Sequence, residues 1–247
     1  MIPLRDSIPS RRPPVMMWII ILANVLVFAV QLAMPQRELT RFIYIFGMVP
    51  RRFSHPEWAQ WVGFPVDDYW PFLTSLFIHG GWLHIIFNMW SLWIFGDNVE
   101  DRMGPFRFLI FYLLCGIASG VSHVMLNTDS TVPAIGASGA IAGVLSAYLI
   151  LYPRANVICM IPIFIFPFFF EIRAWFFILF WFGLQLFNGG LSLVNPTAGG
   201  GIAWWAHVGG FAAGIILLPL FLSRRPPGEE EPVSQKVVSV EQAPRRW

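Results

Sequence analysis

Gly136-Ala137-Ser138-Gly139-Ala140-Ile141-Ala142-Gly143 sets a serine among small residues at the start of an apolar run that continues to Tyr152. Gly139, Gly143 and Ala147 recur every four residues, so in a helix they share one face. A face with almost no side chains lets a second helix come very close. Ser138 falls in the first turn of that helix, where backbone N–H groups lack intrahelical acceptors and the dipole is positive. Such a helix start suits a negatively charged oxygen. The same pattern also serves plain tight packing between membrane helices. Its meaning therefore depends on what the rest of the chain brings to it.

The chain has 247 residues, 56% of them hydrophobic and only 12% charged, with 12 tryptophans. Soluble domains carry about 25% charged residues. The mean hydropathy of +0.63 agrees. The expectation is an all-α, polytopic membrane protein with little room for a soluble domain. A net charge of +2 gives no reason to expect nucleic acid as a partner. Cys115 and Cys159 both lie in apolar stretches and read as packing residues. No Cys/His spacing suits zinc, and the absence of His-Glu-x-x-His argues against a membrane metalloprotease. No metal or cofactor is expected.

Residues 1–14 are polar and read as an N-terminal segment; 15–223 read as the membrane domain, and 224–247 as a disordered tail. A charge-free run from Pro13 to Gln36 is long enough to span a bilayer, which takes ~20 residues. The long connection 35–70, rich in arginine and tryptophan, reads as an ordered piece at the membrane interface. Further spans are expected at about Phe72–Phe95, Phe106–Leu126, Gly136–Pro153, Ile172–Phe187 and Ala203–Leu222, six in all. Asp97, Glu100, Asp101 and Arg102, within 96–104, read as a solvated turn, and 155–170, broken by Pro162 and Pro167, as a re-entrant or interfacial segment. With both termini cytoplasmic, only Arg37, Arg41, Arg51 and Arg52 of the 16 basic residues fall outside, as the positive-inside rule requires apart from that one loop.

This topology has a geometric consequence. Spans two, four and six enter from the same side, so His84 and Asn88, Ser138 and His207 share a depth in the outer leaflet. Gly210 and Gly214 give the sixth span its own small face, which can pack against Gly139 and Gly143 and bring His207 to Ser138. Polar groups at one membrane depth are expensive and point to function. A serine beside a histidine makes a nucleophile and its base. His84 and Asn88, four apart, offer hydrogen-bond donors to a developing oxyanion. The combination describes acyl transfer to serine and then to water. Taken singly, Asn88 or His84 could be an interhelical hydrogen bond. His79 reads as structural, and His55 and His123 as surface or packing groups.

The chain resembles the rhomboid family of intramembrane serine proteases. The resemblance rests on His79-x4-His84-x3-Asn88, Glu100-x-Arg102-x-Gly104, Gly136-Ala137-Ser138-Gly139 and Ala206-His207-x-Gly209-Gly210, in that order over residues 15–223. It implies a six-helix rhomboid-like bundle with a long membrane-associated loop between the first two spans. It also implies Ser138 as nucleophile, His207 as general base, and His84, Asn88 and the Ser138 N–H as the oxyanion hole, with no carboxylate behind the histidine. Two positions depart from the pattern. Trp70 is followed by Pro71 where the family often has arginine. Ala142 stands where the family often has an aromatic ring stacked on the histidine, so another aromatic must hold His207 or it is held less firmly.

The resulting expectation is a multi-pass protein of the bacterial plasma membrane that cleaves single-span membrane proteins near the outer face, with the bilayer itself and no obligate protein as partner. The substrate's outer end should hold helix-weakening residues, with a small residue before the cut. Span five and Gly199-Gly200-Gly201 are the expected gate. A catalytically silent rhomboid-like protein that binds membrane clients is the alternative. A small transporter is a third class, but it should show an internal repeat, and none is found.

Overall fold

The computed structural model describes residues 1–65, 67–163, 166–194 and 203–222. The expected tail 224–247 and the 199–201 glycines lie outside the described residues.

The first apolar run folds as α1 (Val15–Ala33). The long connection is ordered, as expected, into α2 (Gln36–Phe46), α3 (Pro50–Ser54) and α4 (Pro56–Trp61), and α5 (Pro71–Thr74) follows it. Arg52, whose side chain is only 2% exposed, holds this region together by pairing with Asp68 at 2.7 Å and donating to the Ile45 carbonyl. Proline at the first helical position of α3, α4 and α5 explains why three short helices form there: it presets φ and has no N–H to lose.

The second span departs from expectation. Residues 71–77 form α5 and a 3₁₀ turn (Ser75–Phe77), bent by 96° from the long helix α6 (Trp82–Met103). Pro71 starts a separate helix, and the extended Ile78 and Gly80-Gly81 break it from α6. The charged stretch 96–104 is not a solvated turn. Its residues up to Met103 complete α6, and the turn is only Gly104 (φ +82), followed by Pro105 at the start of α7 (Pro105–Leu126). A left-handed glycine after one helix and a proline opening the next is a strong local stop and start. Glu100 is buried, and its carboxylate accepts from the backbone N–H groups of Met16 (3.0 Å) and Met17 (2.7 Å). It therefore satisfies the open first turn of α1, where negative charge is favoured.

α8 (Ser138–Leu151) has only 14 residues, and every one from Gly139 to Tyr148 is buried. An α-helix of that length is about 21 Å long, against a hydrocarbon core of ~30 Å. A helix apolar all round belongs in a core, and α6, α7, α9 (Ala174–Val194) and α10 (Trp204–Phe221) surround it. The six expected spans correspond to α1, α6, α7, α8, α9 and α10. Among the described residues α1, α7, α9 and α10 are by themselves long and apolar enough to cross a membrane, and 71–77 with α6 makes a fifth as a bent pair.

Segment 155–170, expected as re-entrant or interfacial, folds largely as strand. Strands β2 (Asn156–Ile163) and β3 (Phe166–Arg173) form an antiparallel hairpin, and β1 (Ile2–Asp6), from the polar N-terminal segment, pairs with β2. The aromatic and β-branched content of the hairpin favours strands. Pro162 and Pro167, which cannot donate to a ladder, face each other near its end. The sheet is tied to α6, where Trp90 Nε1 donates to the Pro3 carbonyl at 2.6 Å and Asn98 Nδ2 to Asp6 at 3.0 Å. Asp6 also accepts from the Tyr148 hydroxyl. Val157 and Cys159 are fully buried behind it.

Candidate active site

The site begins with the contact between α8 and α10. A Cβ on Gly210 would lie 1.9 Å from the Gly139 carbonyl oxygen, and one on Gly214 would lie 2.4 Å from that of Gly143. The two small faces therefore meet backbone to backbone. This contact sets His207 Nε2 2.7 Å from Ser138 Oγ. His207 is 9% exposed.

On its other edge, His207 Nδ1 lies 2.8 Å from Gln185 Oε1 of α9. The Gln185 amide nitrogen donates to the Trp181 carbonyl at 3.1 Å, one turn back, which turns the amide oxygen toward the histidine. An acceptor at Nδ1 keeps the proton there and leaves the Nε2 lone pair for the Ser138 hydroxyl. The Trp181 ring lies beside the imidazole (centroids 5.8 Å apart, 39° between planes), and Trp204 meets it edge-on at 6.4 Å. The aromatic support missing at Ala142 thus comes from α9 and α10. Sequence reasoning missed both Gln185 and Trp181. The available signal was their spacing of four in a charge-free helix.

The donors sit on α6, against the loop that leads into α8. Gly136 N donates to the Ser75 carbonyl at 2.9 Å, and Met48 pairs with Ala134 across an isolated bridge, which fixes that loop. Gly80 N donates to His84 Nδ1 at 3.2 Å. His84 Nδ1 is then an acceptor, so Nε2 carries the proton. A Cβ on Gly136 would lie 2.6 Å from His84 Nε2 and 3.6 Å from Asn88 Nδ2. Gly136, at φ +119, thus leaves open the space toward which both donors point. Asn88 Nδ2 is buried with no hydrogen-bond partner among the described residues. This donor is open to a group brought against Gly136. The first-turn N–H groups of α8 open beside it.

The other histidines form no hydrogen bond with Ser138, His207, His84 or Asn88 among the described residues. His79 is locked through its backbone, which exchanges two hydrogen bonds with the Gln31 side chain at 2.9 and 3.0 Å, and its ring packs on His84. His123 is buried, bonded to Asn127 and not on the surface. It lines a cavity of about 30 Å³ together with Ser75, Ser119 and Ser138. A water needs roughly 10–15 Å³ and polar partners, so this cavity can hold water beside Ser138. His55 is half-exposed, 3.6 Å from Asp129. Among the described residues no cluster of His, Cys, Asp and Glu suits a metal.

The family model described as the rhomboid domain matches residues 66–224. The chain is 40% identical over 82 residues to rhomboid protease GluP of Bacillus subtilis, covering 33% of this chain and 16% of that one. It is 31% identical over 90 residues to the putative rhomboid protease YdcA of the same organism, covering 36% and 45%. It is also 36% identical over 99 residues to the human presenilin-associated rhomboid-like protein, mitochondrial, covering 39% and 26%. The matched stretches span less than half of each relative.

Proposed function

This chain belongs to the rhomboid family, and from that premise we propose that it is an intramembrane serine endopeptidase working through a Ser138–His207 dyad. One observation carries the reading: Ser138 Oγ and His207 Nε2 lie 2.7 Å apart across two helices, in a site largely closed to solvent. The name of the relative GluP, a protease, supports it.

The chemistry follows from the atoms. Ser138 Oγ attacks the scissile carbonyl carbon while His207 Nε2 takes its proton. Charge collects on the carbonyl oxygen, which faces Asn88 Nδ2, His84 Nε2–H and the Ser138 N–H. Collapse breaks the C–N bond, and His207 gives its proton to the departing amine. Water then attacks the acyl-serine, His207 again accepts a proton, and its return to Oγ releases the carboxylic acid. The cavity beside Ser138 is suited to supply that water.

The substrate is a single-span membrane protein. A regular helix ties its carbonyls into i→i−4 hydrogen bonds, so the segment presented to Ser138 must first open. Helix-weakening residues near its outer end and a small residue before the cut meet that need. In this reading the protein lies in a bacterial plasma membrane with both termini cytoplasmic; the arginine distribution supports the orientation.

The test uses the purified protein in lipid vesicles with a fluorophosphonate and a single-span reporter. Ser138 should be labelled and the reporter cut in its outer half, and Ser138→Ala should lose both. An unreactive Ser138 in folded protein would leave the client-binding reading in its place.

A further inference from the structure

We propose that Gln185 is the positioning residue of the dyad, and that the seating of α9 through it decides whether His207 can serve as a base. The proposal rests on the dyad reading above. Gln185 belongs to neither of the helices that carry the dyad. It is 5% exposed, and both ends of its amide are engaged, the nitrogen with the Trp181 carbonyl at 3.1 Å and the oxygen with His207 Nδ1 at 2.8 Å. The one N–H of the neutral imidazole and its one free nitrogen lone pair are thereby assigned. The Trp181 and Trp204 rings pack on the imidazole but select no tautomer; without the Gln185 oxygen at Nδ1, the other tautomer presents N–H rather than a lone pair to Ser138.

An amide suits this place. It accepts from Nδ1 as a carboxylate would, without placing a charge in the interior of a membrane bundle. The cost is that it depends on α9 being in register. α9 rests on α10 through the stacked rings of Phe182 and Phe211, 4.0 Å apart at 17°, and on α6 through Phe177 against Phe95. Its remaining surface, including Leu184, Leu186 and Phe187, is exposed and apolar. A tilt of α9 away from α10 would withdraw Gln185 and Trp181 from His207 together. The dyad is complete only when α9 is seated.

The experiment measures reporter cleavage and fluorophosphonate labelling in vesicles for Gln185→Leu, Gln185→Glu, Phe182→Ala, the Phe182→Ala/Gln185→Leu pair, and Leu184→Ala as a lipid-facing control. Gln185→Leu should lower kcat roughly 10- to 100-fold with KM unchanged, and labelling should slow by the same factor. Gln185→Glu, which keeps an oxygen at Nδ1, should recover most of the rate, and Leu184→Ala should match the wild type. Phe182→Ala should slow labelling, and the pair should be no slower than Gln185→Leu alone, because both act through one histidine. If Gln185→Leu does not fold, Gln185→Met, of similar length and without the oxygen, takes its place.

Undiminished kcat without the oxygen, or no recovery with glutamate, overturns the positioning role while wild-type labelling leaves the dyad standing. Additive losses in the pair overturn the dependence on α9. A wild-type protein that neither labels nor cleaves overturns both this proposal and the dyad.

Discussion

Gly210→Ala is a one-carbon change at a residue that takes no part in proton transfer, and it should disable the site. The added Cβ would lie 1.9 Å from the Gly139 carbonyl oxygen and 2.8 Å from its carbon, whereas real Cβ atoms essentially never come under 3.0 Å of another heavy atom. The obstacle is helix backbone on both sides, so no side chain can swing away. α10 must move off α8 by about 1 Å, a scale of misplacement that can cost about 10²-fold in rate. The Ser138–His207 separation, now 2.7 Å, would be pushed to the edge of hydrogen bonding. Overpacking of this kind also costs ~1–3 kcal/mol of stability. The assay is initial cleavage rate and fluorophosphonate labelling on protein shown to be folded by its thermal transition. Gly183→Ala, where a Cβ meets nothing within 4 Å, is the control and should behave as wild type. Unchanged cleavage by Gly210→Ala would refute the claim that the α8–α10 contact sets the dyad distance.

Asn88→Ala should lower kcat by on the order of 10²-fold with little change in KM, as loss of an oxyanion donor does. Because Asn88 Nδ2 has no partner among the described residues, the same change should leave the thermal transition unmoved or raised. Glu100→Ala should destabilise the fold by roughly 1–3 kcal/mol, read by thermal unfolding, since the N–H groups of Met16 and Met17 lose their acceptor. Burial holds the Asp6 carboxyl above the usual carboxylate range. A raised folded-state value means that the charged form costs stability, and the cost fades as pH falls and the group is protonated. Asp6→Asn should therefore raise the thermal transition near neutral pH and lose that advantage in acid. Single cysteines at Asp129 and Arg154 should react with an impermeant reagent from opposite sides, the first from outside. Labelling in the reverse sense would invert the proposed orientation.

The sequence by itself determined the apolar runs, the small faces of α8 and α10, and which polar residues sit on helices entering from one side. Those are local properties: a spacing of four, a charge-free stretch and a glycine pair read the same whatever surrounds them. The meeting of the Gly139/Gly143 and Gly210/Gly214 faces followed because close packing is the one use such faces have in common. Three features needed the tertiary structure. The hairpin from 156 to 173 is completed by β1, from the far end of the chain, so its strand character was hidden in a segment that also reads as apolar membrane chain. The charged residues 97–102 looked solvated because a carboxylate ordinarily is; only the approach of the α1 start gives Glu100 a reason to be buried. Gln185 and Trp181 reach His207 because α9 packs on α10 at one rotation, and nothing in the α9 sequence states that rotation when its apolar residues run around the whole helix. Periodicity names the faces of a helix; which face meets the histidine is decided by packing between segments distant in the chain.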